Sequence, residues 1–372
     1  MKLAVITNIL APYRIPLFQA LRTRVDALTV LLMASTEENR DWRLPTHDLG
    51  ARVLPGIHVR PPGRSVALHV NHGVGRALRR ARPDVVLSGG FAPANVAALL
   101  YCRLHGIPFV CWGEITLRDP QGWARGRLRR VVVRASSAAI ASSTESRDAF
   151  VHYGAPRDRV FVSTLPIDVT GLAARVEALR AAPEYDALVT RYRRPVLLHV
   201  GQLIDAKGIP ELLAAYARLL ARGVEPSLVF VGDGPQRAAY DAEVRRRGWR
   251  HVEFVGYVQQ GELHRWYAIA DAFVFPTRHD KFGVVLSEAM AAGVPALASI
   301  HAAATADLIE HGVTGFRIDP ADPAAIADLL HQVLFMDGST RRRIGAAARR
   351  AVAQFDVQPV ADQMIAHLQK LY

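Results

Sequence analysis

Cysteine and long apolar runs are scarce in this chain of 372 residues. Its two cysteines, Cys102 and Cys111, could form at most one disulfide and fit no metal-binding spacing. A reducing compartment is therefore expected. No apolar stretch reaches the roughly 20 residues of a membrane-spanning helix. The apolar N-terminus is interrupted by Thr7 and Asn8 and lacks a cleavage site, so it predicts a β-strand rather than a signal peptide.

Metal-ligand patterns are also lacking. The fourteen histidines include no His-x-x-x-His pair, and His69 and His72, three positions apart, have no third ligand nearby. No Asp-x-Asp follows a predicted strand. We therefore expect neither a zinc site nor a diphosphate held by a metal ion.

Lysine is rare among the cations, and the cations are unevenly placed. Of 46 Lys and Arg residues, four are lysines, at positions 2, 207, 281 and 370. The net charge is +12; residues 1–190 carry 25 Lys and Arg against 15 Asp and Glu, whereas residues 191–372 carry 21 against 19. The basic first half should meet an anionic partner. Nucleic acid is not favoured because no recognition motif is present, and an anionic membrane surface or a lipid-linked phosphate fits better.

Strands and helices alternate in both halves, which predicts an α/β protein with two doubly wound, Rossmann-like parallel sheets. The predicted strands are Leu3–Thr7, Ala27–Met33, Asp84–Ser88, Pro108–Trp112, Ala138–Ala141, Val196–Val200, Ser227–Val231 and Val252–Val255. The predicted helices are Val66–Arg82, Asn95–His105, Trp123–Ala135, Ile209–Arg222, Gln236–Arg247, Gln259–Ala268, Val284–Ala292 and Val357–Leu371. We predict a first domain over residues 1–170 and a second over 171–355. Because ligands of such sheets bind at the carboxyl ends of the strands, the active site is expected in a central cleft that the two halves face.

The segment from Phe273 to Ser299 carries the clearest chemical signal. It predicts a strand, a loop, a short helix stopped by glycine, and a second strand. Two carboxylates, Asp280 and Glu288, stand on either side of Phe282-Gly283. A helix N-terminus after a glycine attracts anions through its free N–H groups and its dipole. Carboxylates beside it suit hydroxyl groups, so the pattern indicates a site for a phosphorylated sugar.

This segment resembles the donor-binding signature of retaining glycosyltransferases with the GT-B fold, and most closely glycosyltransferase family 4. That family has Glu, seven residues and Glu here, with Phe-Gly between them, and the first Glu is Asp280 in this chain. The resemblance implies that Glu288 binds the ribose hydroxyls of a nucleotide and that Asp280 binds hydroxyls of the donor sugar. Phe282 would lie between them, and the backbone N–H groups of Gly283 and Val284 would face the diphosphate.

A second motif, Val196–Gly208, resembles the phosphate loop of the same family. Gly201 allows close backbone approach to a phosphate, and Lys207 would neutralise the leaving nucleoside diphosphate, with a solvated loop lysine as the alternative. The family's usual Arg is replaced by Gln202, which removes a bidentate phosphate donor. Tyr257-Val258 stands where family members contact the nucleobase through backbone groups.

Two positions in the first half are candidates for binding the acceptor. Glu114 stands where many family members have a His, and it could orient the acceptor hydroxyl or contact the donor sugar; a cap or surface role is the alternative. Tyr13 and Arg14 follow the first strand, where the family often has paired glycines. Arg14 is expected either to meet an anionic group or to form a structural ion pair.

The basic segment Trp123–Ala135 predicts an amphipathic helix. Apolar residues at 128, 131, 132 and 135 form one stripe, and Arg127, Arg130 and Arg134 lie on another face. Such a helix is either a membrane-surface element or an ordinary domain helix with its apolar side on the sheet, and we favour the second.

The motifs together predict a retaining glycosyltransferase that moves a sugar from a nucleotide-diphosphate sugar to a hydroxyl acceptor, lipid-linked or anionic. Cell-surface glycan, glycolipid or secondary-metabolite assembly would be its setting, in the cytoplasm at the inner face of the membrane. The catalytic residues would be Lys207, Asp280, Glu288 and Glu114, without a metal or other cofactor. The alternatives are a nucleotide-sugar epimerase of the same fold, a sugar phosphorylase and a catalytically degenerate sugar-nucleotide-binding subunit. The resemblance also implies that the C-terminal helix, within residues 356–372, packs back on the first domain.

Overall fold

The computed structural model describes residues 1–36, 49–59, 68–118 and 122–372. The chain divides into two compact units, Met1–Pro166 with Val357–Tyr372, and Ile167–Asp356. Each unit contains a large parallel sheet flanked by helices, which confirms the predicted fold class. Among the described residues, no helix has both the length and the apolar character needed to cross a bilayer.

The first unit is built on a seven-stranded parallel sheet with a small antiparallel hairpin beside it. Its strands are β1 (Lys2–Thr7), β2 (Ala27–Leu32), β3 (Arg52–Val53), β4 (Gly56–Val59), β5 (Leu68–Asn71), β6 (Val85–Gly89), β7 (Phe109–Gly113), β8 (Ala138–Ala141) and β9 (Val160–Val162). Its first helices are α1 (Ile15–Arg22), α2 (Val74–Ala81), α3 (Pro93–His105), α4 (Trp123–Ala135) and α5 (Thr144–His152). The strand order is β3-β2-β1-β6-β7-β8-β9. The order reverses between β1 and β6, and crevices for ligands form at such a point along the carboxyl edge.

The predicted helix over Val66–Arg82 is wrong in its first part. Residues 68–71 form β5, which pairs antiparallel with β4, and α2 begins only at Val74; residues 66 and 67 lie outside the described residues. The Asn71 amide donates hydrogen bonds to the carbonyl oxygens of Met33 and Leu54, at 2.8 and 3.1 Å, so contacts with distant segments hold β5 extended. Gly73, at φ 78°, then makes the turn into the helix.

The second unit is built on a six-stranded parallel sheet. Its strands are β10 (Val196–Val200), β11 (Ser227–Val231), β12 (Val252–Gly256), β13 (Ala272–Phe275), β14 (Ala296–Ser299) and β15 (Phe316–Ile318). Its helices are α6 (Val169–Arg180), α7 (Glu184–Thr190), α8 (Ile209–Ala221), α9 (Arg237–Arg246), α10 (His264–Ile269), α11 (Val284–Ala291), α12 (Ala303–Leu308), α13 (Pro323–Leu334) and α14 (Gly338–Ala353). The strand order is β12-β11-β10-β13-β14-β15, so the order reverses between β10 and β13. The loops that follow β10 and β13 contain residues of the two sequence motifs.

The last helix, α15 (Val357–Gln369), belongs to the first unit. Met364 and Leu368 on α15 are buried in one apolar cluster with Leu17 and Phe18 of α1 and with apolar side chains of the sheet. The helix therefore completes a core whose other buried members stand more than two hundred residues earlier in the chain.

Candidate active site

The carboxyl ends of β10 and β13 bring two of the predicted residues together. Lys207 lies at the end of the loop after β10, and its Nζ is 2.5 Å from Oδ2 of Asp280 in the loop after β13. Both side chains are largely buried, at 20% and 18% exposure. The other oxygen of Asp280, Oδ1, accepts a hydrogen bond of 3.0 Å from the backbone N–H of Phe282. The ion pair joins the two motifs.

Glycines allow these two loops to pack without space between them. Gly283, at φ 100°, precedes α11, and a Cβ there would stand 2.7 Å from the Phe275 ring. Gly208, at φ 73°, precedes α8, and a Cβ there would stand 1.8 Å from the Pro276 carbonyl oxygen. Any other residue at either position would be strained. At Gly208 it would also push the two loops apart, and at Gly283 it would collide with the Phe275 ring of β13. Asp280 accepts from the N–H of Phe282, two residues before α11 begins at Val284, so the Lys207–Asp280 pair lies close to the N-terminus of this helix.

Glu288 lies inside α11 and is buried, with 5% exposure. The Tyr267 hydroxyl on α10 donates a 2.8 Å hydrogen bond to Oε2, and the Gln260 amide donates one of 3.3 Å to Oε1. Burial raises the pKa of the Glu288 carboxyl to about 7, and the two hydrogen bonds oppose this rise because they favour the ionised form. Neither partner stands in a motif, so neither could be predicted from the sequence.

His199 on β10 is a further polar residue of the site that no sequence motif predicts. Regular pairing of β10 with β13 ends at Leu198, and beyond it the imidazole Nδ1 of His199 meets the Val274 carbonyl oxygen at 3.0 Å. Burial lowers the pKa of His199 to about 4, and the charge of Lys207 contributes, so the ring is neutral. A carbonyl oxygen only accepts, so Nδ1 carries the proton. The ring thus links β10 to β13 beyond their regular pairing, and its Nε2 would stand 3.3 Å from a Cβ on Gly201.

The other predicted donor residues lie on neighbouring loops. Gly201 and Gln202 follow β10, and the backbone of this loop is tied to the loop after β11 by the Leu203 N–H, which donates to the Asp233 carbonyl oxygen at 3.0 Å. Tyr257 and Val258 follow β12. Gln260, two residues after Val258, is hydrogen-bonded to Glu288. Phe282 is buried, at 1% exposure, and anchors the loop after β13.

The predicted acceptor residues meet at the carboxyl edge of the first unit. Arg14 Nη2 is 3.2 Å from Oε1 of Glu114, and Nη1 donates a 2.7 Å hydrogen bond to the Thr7 hydroxyl. The Arg14 guanidinium lies over the Trp112 ring at 4.7 Å and 5.7 Å from that of Tyr13. The structure therefore brings Tyr13, Arg14 and Glu114 together around one ion pair, in which Glu114 is 22% exposed.

Helix α4 has a different buried face from the predicted one. The structure buries Arg129, Val132 and Val133, whereas Val131 is 63% exposed and Leu128 is 38% exposed. Half of the predicted apolar stripe therefore faces outward. The Arg129 guanidinium lies near the rings of Phe91 and Tyr153, at 5.6 and 5.8 Å. Tertiary packing of the long arginine side chain, which apolar periodicity does not reveal, accounts for the difference.

The raised pKa of Glu288 predicts how the stability of the protein depends on pH. The carboxyl titrates near its usual value of 4.5 when unfolded and at about 7 when folded. Its contribution to stability is therefore complete below pH 4.5 and is lost as pH rises through 7, by at most about 3 kcal/mol. We expect the free energy of unfolding of the wild type to fall relative to Glu288→Gln across this window, measured by urea denaturation. A constant difference between the two proteins would contradict the assignment.

Family models of known proteins match both halves of the chain. A family model described as Glycosyl transferases group 1 matches residues 186–351, and one described as Glycosyltransferase Family 4 matches residues 17–170. The chain is 30% identical over 339 residues to a GDP-mannose-dependent alpha-mannosyltransferase of Mycolicibacterium smegmatis, which covers 86% of this chain and 81% of the relative.

A second relative and a solved structure are also similar to this chain. A glycogen synthase of Mycobacterium tuberculosis is 30% identical over 292 residues, which covers 76% of this chain and 68% of the relative. The crystal structure of Anabaena Alr3699/HepE in complex with UDP has the same fold, with a TM-score of 0.78 at 22% identity over 100% of both chains. The matching family models, the relatives and the fold identify this chain as a glycosyltransferase with the GT-B fold, a member of glycosyltransferase family 4 (group 1).

Proposed function

We propose that the protein transfers a sugar from a nucleotide-diphosphate sugar to a hydroxyl acceptor with retention of anomeric configuration. One observation carries the proposal: the Lys207–Asp280 pair stands at the N-terminus of α11, and the buried carboxylate of Glu288 lies on the same helix. A cation and free N–H groups suit a diphosphate, and carboxylates suit hydroxyl groups. A nucleotide sugar presents a ribose, a diphosphate and a sugar in one molecule, which fits this combination.

Each residue then has a separate role in holding the donor. Lys207 and the N–H groups at Gly283 and Val284 neutralise the diphosphate. Asp280 accepts hydrogen bonds from sugar hydroxyls, and Glu288 accepts them from the ribose. Gln202 offers neutral hydrogen bonds where an arginine would offer charged ones, so Lys207 carries a larger share of the leaving-group stabilisation. This charge compensation comes from the chain itself, and we propose that no metal or other cofactor takes part.

Transfer with retention needs no covalent intermediate with the protein. The bond from the anomeric carbon to the diphosphate oxygen breaks, and the acceptor oxygen bonds to that carbon on the same face. The proton of the acceptor hydroxyl passes to the leaving diphosphate oxygen. Catalysis then rests on positioning of the two substrates and on stabilisation of the developing negative charge by Lys207 and the α11 N-terminus.

The acceptor is assigned to the first unit. Arg14 pairs with Glu114 through Oε1 at 3.2 Å, which fixes the orientation of the carboxylate. An oriented carboxylate can accept a hydrogen bond from an acceptor hydroxyl, and the surrounding positive charge favours an anionic or lipid-linked acceptor. Assembly of glycolipids, cell-surface glycans or glycosylated secondary metabolites would supply acceptors of this kind.

The names of similar proteins support a nucleotide sugar and leave its base open. One relative is named as dependent on GDP-mannose, and a neighbour of the same fold was solved with UDP. A panel of UDP-, GDP-, dTDP- and ADP-sugars should therefore raise the melting temperature for one base class. The Glu288→Ala variant should lose this stabilisation. A wild type that none of the four stabilises would contradict the proposed function.

The role of Lys207 is tested with the nucleotide that stabilises the wild type. We expect Lys207→Met to weaken the nucleoside diphosphate by about tenfold or more, equal to about 1.4 kcal/mol, and the monophosphate much less, in calorimetric titrations. Lys370→Met, which removes another of the four lysines, is the matched control and should change neither affinity. An equal loss for the two nucleotides would show that Lys207 does not act on the diphosphate.

A degenerate donor-binding subunit is the second candidate, favoured by Gln202 and Asp280, which both depart from the family pattern. Such a protein would bind the donor without releasing nucleoside diphosphate, with or without acceptors. Restoration of turnover by Gln202→Arg would support this candidate. An epimerase would instead convert the donor in the absence of any acceptor.

We also propose that α4 contacts an anionic membrane at the inner face of the cell membrane. Trp123 is 75% exposed and Val131 is 63% exposed, and both stand on the same outward face as Arg127, Arg130 and Arg134. The helix contains no acidic residue. Exposed apolar side chains among arginines suit the interface of an anionic bilayer.

The membrane proposal predicts loss of vesicle binding when the outward arginines are replaced. Each basic residue contributes about 1 kcal/mol near an anionic surface, so replacing Arg127, Arg130 and Arg134 with Gln should weaken binding by about 100-fold. Sedimentation with phosphatidylglycerol-containing vesicles at low salt measures this. The matched control replaces three exposed arginines of α14, namely Arg342, Arg343 and Arg350. Equal binding of both triple variants would refute the assignment to α4.

A further inference from the structure

Three side chains from separate segments form a hydrogen-bonded group inside the second unit. Glu288 comes from α11, Tyr267 from α10 and Gln260 from the turn before α10. Tyr267 is fully buried, and its hydroxyl donates to Oε2 of Glu288 at 2.8 Å, while the Gln260 amide donates to Oε1 at 3.3 Å. Each carboxylate oxygen thus has one donor from the protein and keeps lone-pair capacity for another.

Among the interactions that favour the ionised form of Glu288, the two hydrogen bonds contribute more than any charged side chain does. Arg175 on α6 favours the ionised form through its charge, and its guanidinium pairs with Asp168 at 3.1 Å. Arg180, on the same helix, donates to the carbonyl oxygens of Ala268 and Tyr267. Arg349 on α14 is engaged with Glu177 and with the Ala291 carbonyl oxygen. Helix α12 also packs against α11, and its one acidic residue is Asp307. A buried carboxylate is costly to ionise, and the charge of Arg175 offsets less of this cost than either hydrogen bond does. The Tyr267 hydroxyl and the Gln260 amide therefore decide whether Glu288 carries its charge.

We propose that Tyr267, assisted by Gln260, is a positioning residue that holds Glu288 ionised and oriented towards the ribose, so that donor binding strengthens as pH rises through the neutral range. This inference rests on the proposed function, in which Glu288 binds the ribose hydroxyls. Hydroxyl groups donate to carboxylates, and an ionised carboxylate accepts at both oxygens. The protonated form loses one acceptor position and gains a donor that the ribose does not need.

The direction of the effect follows from the same hydrogen bonds. Burial has brought the pKa of Glu288 to about 7, so the carboxyl is about half ionised at neutral pH. Loss of the Tyr267 hydroxyl removes a donor to the ionised form and must raise this pKa further. A Tyr267→Phe variant should therefore bind the donor poorly at neutral pH and recover at alkaline pH. A variant damaged only in its packing would bind poorly at every pH.

The test measures the dissociation constant of an intact nucleotide-diphosphate sugar, whose phosphates keep a constant charge, from pH 6 to pH 9. We expect wild-type affinity to rise about tenfold between one unit below and one unit above the Glu288 pKa. Tyr267→Phe should shift this rise to higher pH, and Glu288→Gln should abolish it. Gln260→Leu, whose hydrogen bond is longer, should shift it in the same direction by less, and it serves if Tyr267→Phe does not fold.

Tyr216→Phe is the matched control. Tyr216 is also buried, and its hydroxyl donates to the Pro226 carbonyl oxygen at 2.9 Å, away from Glu288. Its pH profile should equal that of the wild type. A wild type whose affinity is independent of pH, or a Tyr267→Phe profile that coincides with it, would overturn the inference while leaving donor binding intact. Failure of the wild type to bind any nucleotide sugar would instead remove the proposed function.

Discussion

The ion pair between Lys207 and Asp280 is the contact around which the second unit arranges its functional loops. It forms because the strand order reverses between β10 and β13, so the loops that leave these neighbouring strands meet at the carboxyl edge. Gly208 lets the two loops touch, since a side chain there would collide with Pro276, and Gly283 leaves room for the Phe275 ring at the start of α11. The N-terminus of α11 is held in place as a consequence. The pair therefore connects the loops that follow β10 and β13, and it lies at the centre of the proposed donor site.

Burial shifts the pKa values of two titratable side chains of the second unit, Glu288 and His199, in opposite directions. Burial raises the pKa of the Glu288 carboxyl to about 7 and lowers that of the His199 imidazole to about 4. Both changes favour the neutral form, as expected of groups removed from water. For His199 this suits a structural role, in which Nδ1 donates to the Val274 carbonyl oxygen where strand pairing ends. For Glu288 it leaves a group near the balance between charged and neutral forms, which its hydrogen-bond donors can tip.

Much of the fold and part of the site could be predicted from the sequence, and the limits have physical causes. Apolar strands followed by glycine turns are local signals, so β1, β10 and β13, the loops that carry Lys207 and Asp280, and the helix that carries Glu288 were predicted. Tyr267 and Gln260 were missed because their contacts with Glu288 span 21 and 28 residues. The helix predicted over Val66–Arg82 was partly wrong because β5 is held extended by distant carbonyl groups. The buried face of α4 differed because Arg129 packs against aromatic rings, which no apolar stripe records.

In the proposed donor site, the decisive contact is the one between Glu288 and the ribose of the bound nucleotide sugar. It is tested most directly by comparing a nucleotide sugar with its 2′,3′-dideoxy analogue on the wild type and on Glu288→Ala, as a cycle of dissociation constants. Hydrogen bonds to a charged group contribute about 1.5–3 kcal/mol, so the wild type should lose about tenfold or more in affinity when the hydroxyls are removed. The variant should bind both ligands with nearly equal affinity. An identical loss in the two proteins would show that Glu288 does not contact the ribose and would contradict the account.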